Sequence, residues 1–267
     1  YAVTVLGGEE FGQLLIEGVE LPAVAKPGYY RLDARIIQNG MVMATGFDDI
    51  YTVDFSAKKG IAGKCAVLES DSTVKSFLRN TGNISVADFS ASSEKTDIII
   101  VGKHDFDASA VLADNILKRA TEGATVIVLD KADKWAERLD TVSMRKPPFY
   151  EGGGIVRRGN GGRLFVGCSP FLEGLPQAQS MGWEYQWFYQ TGRVEGLRLH
   201  NWGVDVIAAL GAQDTKEILK SLVRIRIGAG QVILSTLDML PALQSNAPQA
   251  ATPKRLFLNL MDPAIEK

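Results

Sequence analysis

From Tyr29 to Ile37 apolar and polar side chains alternate. Tyr30, Leu32, Ala34 and Ile36 fall on one face and Tyr29, Arg31, Asp33 and Arg35 on the other. That period of two is the signature of a half-buried antiparallel strand. Asn39-Gly40 follows, and because both residues tolerate positive φ the pair predicts a tight hairpin. Met41–Thr45 is expected to form the return strand, with a break at Gly46-Phe47-Asp48 and one more short strand over Asp49–Asp54. Ahead of these, Ala2–Leu6 reads as a strand, Phe11–Ile16 as a helical turn and Val19–Pro22 as extended chain. So few strands cannot bury two faces, and isolated hairpins are marginal in water. Residues 1–55 are therefore expected to be the closing part of a β-sandwich, with 56–63 as a linker.

Beyond the linker the pattern becomes one of alternating strands and helices. Cys65–Glu69 is a short apolar strand, Ser72–Asn80 a helix capped by Asp71 or Ser72, and Ser85–Phe89 a second strand. Asp97–Gly102 is apolar throughout its middle, as a strand covered on both faces of a parallel sheet must be. In the helix that follows, Asp107 is the expected N-cap. Val111, Leu112, Ile116, Leu117 and Ala120 form its apolar stripe, and Gly123 ends it. Ala124–Leu129 then completes a right-handed βαβ unit. Farther on, Arg163–Cys168 and Val204–Leu210 read as strands and Thr215–Leu222 as a helix. Arg224–Ile227 and Gln231–Leu237 form a hairpin around Gly228-Ala229-Gly230, and Pro253 starts a last helix. The fold class expected for 64–267 is α/β: three layers around a mainly parallel sheet with an antiparallel extension at one side.

Composition narrows the partners. The 267 residues, 46% of them hydrophobic, suffice for a sizeable core. With 29 basic and 31 acidic residues the net charge is −2, which carries no electrostatic footprint for nucleic acid or an anionic membrane. No apolar run approaches the roughly 20 residues of a bilayer span. Cys65 and Cys168 both sit in apolar, strand-like contexts, which favours inert buried thiols over a disulfide framework.

Pro27-Gly28-Tyr29-Tyr30, followed by Leu32, Ala34 and the Ala44–Asp48 turn, resembles the Ig-like module near the C-terminus of bacterial family 2 glycoside hydrolases and related β-galactosidase-like enzymes. Asp97–Gly102, the helix to Gly123, Val126–Leu129 and the run from Gly228 to Asp238 resemble the glutamine-amidotransferase-like (flavodoxin-like) domain appended in some of them. It is similar in plan to the trimerisation domain of another β-galactosidase family. The resemblance implies an extracytoplasmic parent enzyme acting on plant or host glycans. It also implies that this region packs on the catalytic barrel of the parent chain or mediates homo-oligomerisation.

In catalytic amidotransferases a cysteine occupies the sharp turn after the strand that follows the crossover helix, where a helix N-terminus lowers its pKa. Here that turn is Leu129-Asp130-Lys131-Ala132, with no sulfur. His104, Asp105, Asp130 and Lys131 are the residues expected to mark a vestigial pocket at the strand ends. A small independent hydrolase at that edge would employ the first three. His104-Asp105-Phe106-Asp107 could also be read as metal ligands, but helix capping accounts for the aspartates, and no metal or cofactor is called for. His200 reads as a structural histidine. Gly152–Gly154 and Gly159–Gly162 precede a strand rather than follow one, so they read as turns and not as phosphate loops. Glycoside hydrolysis needs two carboxylates about 5 to 10 Å apart. In the resembled family they come from a TIM barrel, for which this chain has no eightfold βα pattern.

The aromatic run Trp183, Tyr185, Trp187 and Tyr189 is the candidate binding surface, for carbohydrate or for protein. If the segment is extended, Trp183, Tyr185 and Trp187 point to one side of it.

Overall fold

The computed structural model describes residues 1–5, 8, 12–22, 24, 26–55, 63–82, 84–90, 96–144, 146–159, 162–212 and 216–262. They divide into two compact units, Tyr1–Thr52 and Val53–Lys267. The linker expected at 56–63 lies, except for Gly63, outside the described residues.

The first unit is a two-stranded antiparallel ribbon, β1 (Gly28–Gln38) with β2 (Met41–Thr52). The turn forms at Asn39 and Gly40, both at positive φ (51° and 78°), as their chemistry predicts. The expected break at Gly46–Asp48 does not occur: β2 is continuous, because Asp33 pairs with Phe47 and Leu32 with Asp48. Register places Ile50, Asp48, Gly46 and Ala44 opposite Tyr30, Leu32, Ala34 and Ile36. On the other face Arg31 lies over the Phe47 ring at 3.6 Å and Tyr29 meets Tyr51. Residues 2–5 and 12–16 carry neither the strand nor the helical turn expected there, and Leu6 and Phe11 lie outside the described residues.

The second unit runs β3 (Cys65–Leu68), α1 (Thr73–Gly82), β4 (Val86–Asp88), β5 (Ile98–Val101), α2 (Ala110–Thr121), β6 (Thr125–Val128), α3 (Ala132–Ser143), β7 (Val156–Arg158) and β8 (Gly162–Val166). It continues with β9 (Gln179–Ser180), a 3₁₀ segment at Trp183–Tyr189, β10 (Val194–Gly196), β11 (Val204–Ala212), β12 (Ile218–Ile227), β13 (Gly230–Ser235), α4 (Leu240–Gln244) and α5 (Ala251–Leu260). Nine of these strands form one sheet in the order β4-β3-β5-β6-β13-β12-β11-β8-β9, while β7 and β10 pair separately.

From β4 to β13 every pairing is parallel, and from β13 to β9 every pairing is antiparallel. The sheet is thus mixed in equal parts rather than mainly parallel. The change traces to 215–222, expected as a helix. Ile218 onward is instead a strand with alternating burial that pairs with both β11 and β13, whereas Thr215 lies outside the described residues.

Uniformly apolar strands feed cores on both sheet faces. Ile98, Ile100, Ile127 and Ile233 join one buried cluster with Phe77, Leu78 and Phe257 of α1 and α5. Ile99, Val101, Val126, Val128, Val232 and Leu234 join the other with Ile116, Leu117, Trp135 and Leu139 of α2 and α3. Arg138 grips Asp114 with two hydrogen bonds, at 2.6 and 2.5 Å, and so ties α3 to α2.

One helix start differs from expectation and another gains a further cap. Helix α2 begins at Ala110 after Ser109, and Asp105 rather than Asp107 holds the preceding turn by accepting from the Asp107 and Ala108 N–H groups. At α1, Asp71 accepts from Thr73 as expected. Glu69 at the end of β3 also accepts from Val74 at 2.8 Å and Lys75 at 3.0 Å, satisfying two otherwise orphaned helix donors. Among the described residues, no helix is long and apolar enough to cross a membrane.

Candidate functional site

The C-terminal ends of parallel strands are where open α/β sheets place ligands, and the ends of β6 and β13 open onto a cavity of about 650 Å³. Its floor is apolar, with Leu129, Leu164, Phe188 and Leu237 among the lining residues. Its charged side chains are Asp130, Asp133, Glu195 and Asp238 against Lys131, Arg157 and Arg193.

Each wall has a local cause. Lys131 stands in the left-handed region (φ 51°, ψ 43°), so the chain reverses sharply from β6 into α3. The Lys131 carbonyl accepts from Lys134 at 3.0 Å and Trp135 at 3.2 Å, which starts the helix. A non-glycine residue there costs on the order of 1–2 kcal/mol. Across the cavity, Thr236 donates its hydroxyl to the Glu195 carbonyl at 2.7 Å and thereby joins the end of β13 to β10. Glu195 pairs with Arg157 at 2.5 Å between the paired strands β10 and β7. Although Asp238 is exposed, partial desolvation and then the nearby Glu195 carboxylate raise its carboxyl above the usual carboxylate range.

Of the four residues expected to mark a vestigial pocket, Asp130 and Lys131 line this cavity. His104 is not among its lining residues. Its backbone N–H donates to Asp130 Oδ2 at 3.4 Å, its Nδ1 sits 2.9 Å from the Gly102 carbonyl and 3.9 Å from Asp130 Oδ2, and its ring is buried near Phe106 and Trp135. Asp105 is occupied in the turn before α2. His200 Nδ1 lies 3.3 Å from Glu151, away from these groups. Cys65 is buried in β3 and its thiol is pushed up to about 12 by burial. Cys168 is exposed just past β8, contrary to the buried thiol expected there. Among the described residues, no group of three or more His, Cys, Asp or Glu is placed to hold a metal ion.

The aromatic run is not extended. Trp183–Tyr189 forms 3₁₀ turns, so the expected alternation of faces is lost. Tyr185 is fully buried and donates its hydroxyl to the Pro176 carbonyl, and Tyr189 donates to the Met181 carbonyl while accepting from the Leu164 N–H. Trp187 donates its indole N–H to the Asp238 carbonyl. Trp183 is exposed, at 46%.

Arg157, Arg193 and Glu195 carry no sequence signal, because they reach the cavity on β7, just before β10 and on β10, strands brought together only by tertiary pairing. Asp238 had one signal, its place directly after the apolar run Gln231–Leu237.

No family model matches the sequence, and comparison with curated proteins finds no match. Solved structures that resemble it include an exo-β-1,4-mannosidase from Opitutaceae bacterium strain TAV5 (12% identity, TM-score 0.39, 69% of this chain and 30% of that one). A β-galactosidase from Bacillus circulans sp. alkalophilus matches at 15% identity and TM-score 0.39, over 75% of this chain and 30% of its own. A cytoplasmic protein of Salmonella typhimurium LT2 matches at 13% identity and TM-score 0.42, over 90% and 97%. The neighbours thus include two glycoside hydrolases, of each of which the chain spans 30%. At these TM-scores the likeness establishes no shared activity.

Proposed function

We propose that this chain is a non-catalytic accessory region of a glycoside hydrolase, an Ig-like module end followed by an amidotransferase-like domain. Its role is to pack against the catalytic barrel of the parent chain or to join copies of the enzyme, outside the cytoplasm. The observation that carries the reading is Lys131. It occupies the left-handed turn between β6 and α3, the position at which the resembled amidotransferases carry their thiol. Neither cysteine of the chain belongs to that turn: Cys65 lies in β3 and Cys168 follows β8. Thiol chemistry has no nucleophile where the scaffold would use one.

The ribbon adds support. Tyr30 and Leu32 are 37% and 41% exposed on the face that alternation assigns to a core, and a second sheet packed on that face would make the ribbon part of a sandwich.

Incubating the purified chain with chromogenic α- and β-glycosides of glucose, galactose and mannose tests the proposal. No release of chromophore above background is expected. Release that disappears on Asp238→Asn or Glu195→Gln would overturn the accessory reading.

A further inference from the structure

The outer edge of β1 carries charges that complement themselves. Among the described residues β1 and β2 pair only with each other, and an isolated two-stranded ribbon is marginal in water. Residues 29–35 are all exposed. An open edge strand is a template for another strand unless proline, a bulge or like charges blunt it. From Gly28 to Ile36 β1 has no proline, and its ladder to β2 is regular, the register shift falling between Ile36 and Ile37. Along that stretch Arg31, Asp33 and Arg35 alternate in sign on one face.

Few antiparallel registers of β1 against a second β1 suit those charges. Centred on Asp33, pairing sets carboxylate against carboxylate and Arg31 against the partner's Arg35. Centred on Ala34, it runs across the register shift and sets Arg31 against the partner's Ile37. Centred on Leu32, it uses the regular stretch from Gly28 to Ile36 and nothing beyond. Arg31 then faces the partner's Asp33 on both sides of the axis, Arg35 faces the partner's Tyr29, and the large Tyr30 faces the partner's small Ala34. Opposite charges directly across strands stabilise a sheet, and like charges destabilise it. Within one chain Arg31 already bonds Asp33 at 3.0 Å, and its guanidinium lies 3.6 Å from the centre of the Phe47 ring. Two copies therefore close a ring of four charges that alternate in sign. The edge of β2 has no such property, since its charged residues, Asp48 and Asp49, are both acidic.

We propose that two copies of this chain dimerise by antiparallel pairing of β1 about a two-fold axis at Leu32, giving a four-stranded sheet in the order β2-β1-β1-β2. The inference deepens the joining of copies named in the accessory reading, on which it rests. The two fail separately: turnover of a glycoside by a dimer paired at β1 overturns only the accessory role, and an inactive monomer overturns only this pairing.

The test is sedimentation of the whole chain at low salt, with charge variants measured alone and mixed. A reversible dimer of twice the 29.0 kDa chain mass is expected. Asp33→Arg and Arg31→Asp should each weaken it at least about tenfold, because each sets like charges opposite one another. An equimolar mixture of the two variants should restore the dimer, which also shows that both fold. Register is read by oxidation in a Cys168→Ser background. Leu32→Cys should cross-link two copies, since directly opposed Cα atoms lie about 4.5 to 5.5 Å apart, whereas Ala34→Cys should not. A monomer up to about 100 μM, a dimer indifferent to both charge variants, no restoration on mixing, or cross-linking through Ala34→Cys in preference to Leu32→Cys would each overturn the proposal.

Discussion

The indole N–H of Trp187 donates to the main-chain carbonyl of Asp238 across 2.9 Å, joining residues 51 positions apart. The aromatic segment is thereby tied to the residue that follows the run Gln231–Leu237. Trp187→Phe keeps most of the packing and removes the donor, so a loss of about 1 kcal/mol in denaturant unfolding is expected. No loss at all would mean that the bond is not made in solution.

Thiol reactivity separates the two cysteines. Cys168 is exposed, whereas Cys65 is buried with its thiol pushed up to about 12. A disulfide reagent should titrate one thiol rapidly in the native protein and the second after denaturation, and Cys168→Ser should abolish the fast phase. Two fast thiols would contradict the placement of Cys65.

Glu217 gives a dependence on pH with a definite sign. Its hydrogen bond to Arg198, together with the charges of Arg198 and Arg158, lowers its carboxyl below the usual range. A depressed folded-state pKa stabilises above the unfolded value and is lost as pH falls through the folded one. Glu217→Gln should therefore lower Tm at pH 7, and the gap to the unaltered protein should narrow as pH falls below about 4.3. A gap constant down to pH 2 would assign the effect to shape rather than charge.

The hairpin between β12 and β13 lies against the end of α2. A Cβ added at Gly230 would fall on the carbonyl oxygens of Ala120 and Ala124. Gly230→Ala is expected to cost about 1–3 kcal/mol by overpacking, read as a lower denaturation midpoint with unchanged slope. A neutral substitution would show that the hairpin does not approach α2 this closely.

These elements also show what the sequence made legible. Strands buried on both faces announced themselves: Ile98–Val101 and Val126, Ile127 and Val128 are apolar because two cores need them. The Asn39-Gly40 turn was readable from its φ requirement alone. Helix-forming residues masked β12, where pairing with strands on both sides overrides local propensity. The aromatic run misled for a related reason: its rings alternate in sequence, but hydrogen bonds from Tyr185 and Trp187 to distant carbonyls belong to a 3₁₀ coil. The cavity was half legible. Asp130 and Lys131 followed from strand-then-helix logic, while Arg157, Arg193 and Glu195 arrive through tertiary pairing that no local spacing records.

As proposed above, the left-handed turn after β6 carries Lys131 at the position where the resembled amidotransferases hold their thiol. Ammonia release from glutamine by the purified chain, followed together with mass spectrometry for a covalent adduct, tests it most directly. No release above background and an unmodified chain are expected; release that vanishes on Lys131→Ala or on Cys168→Ser would contradict the assignment.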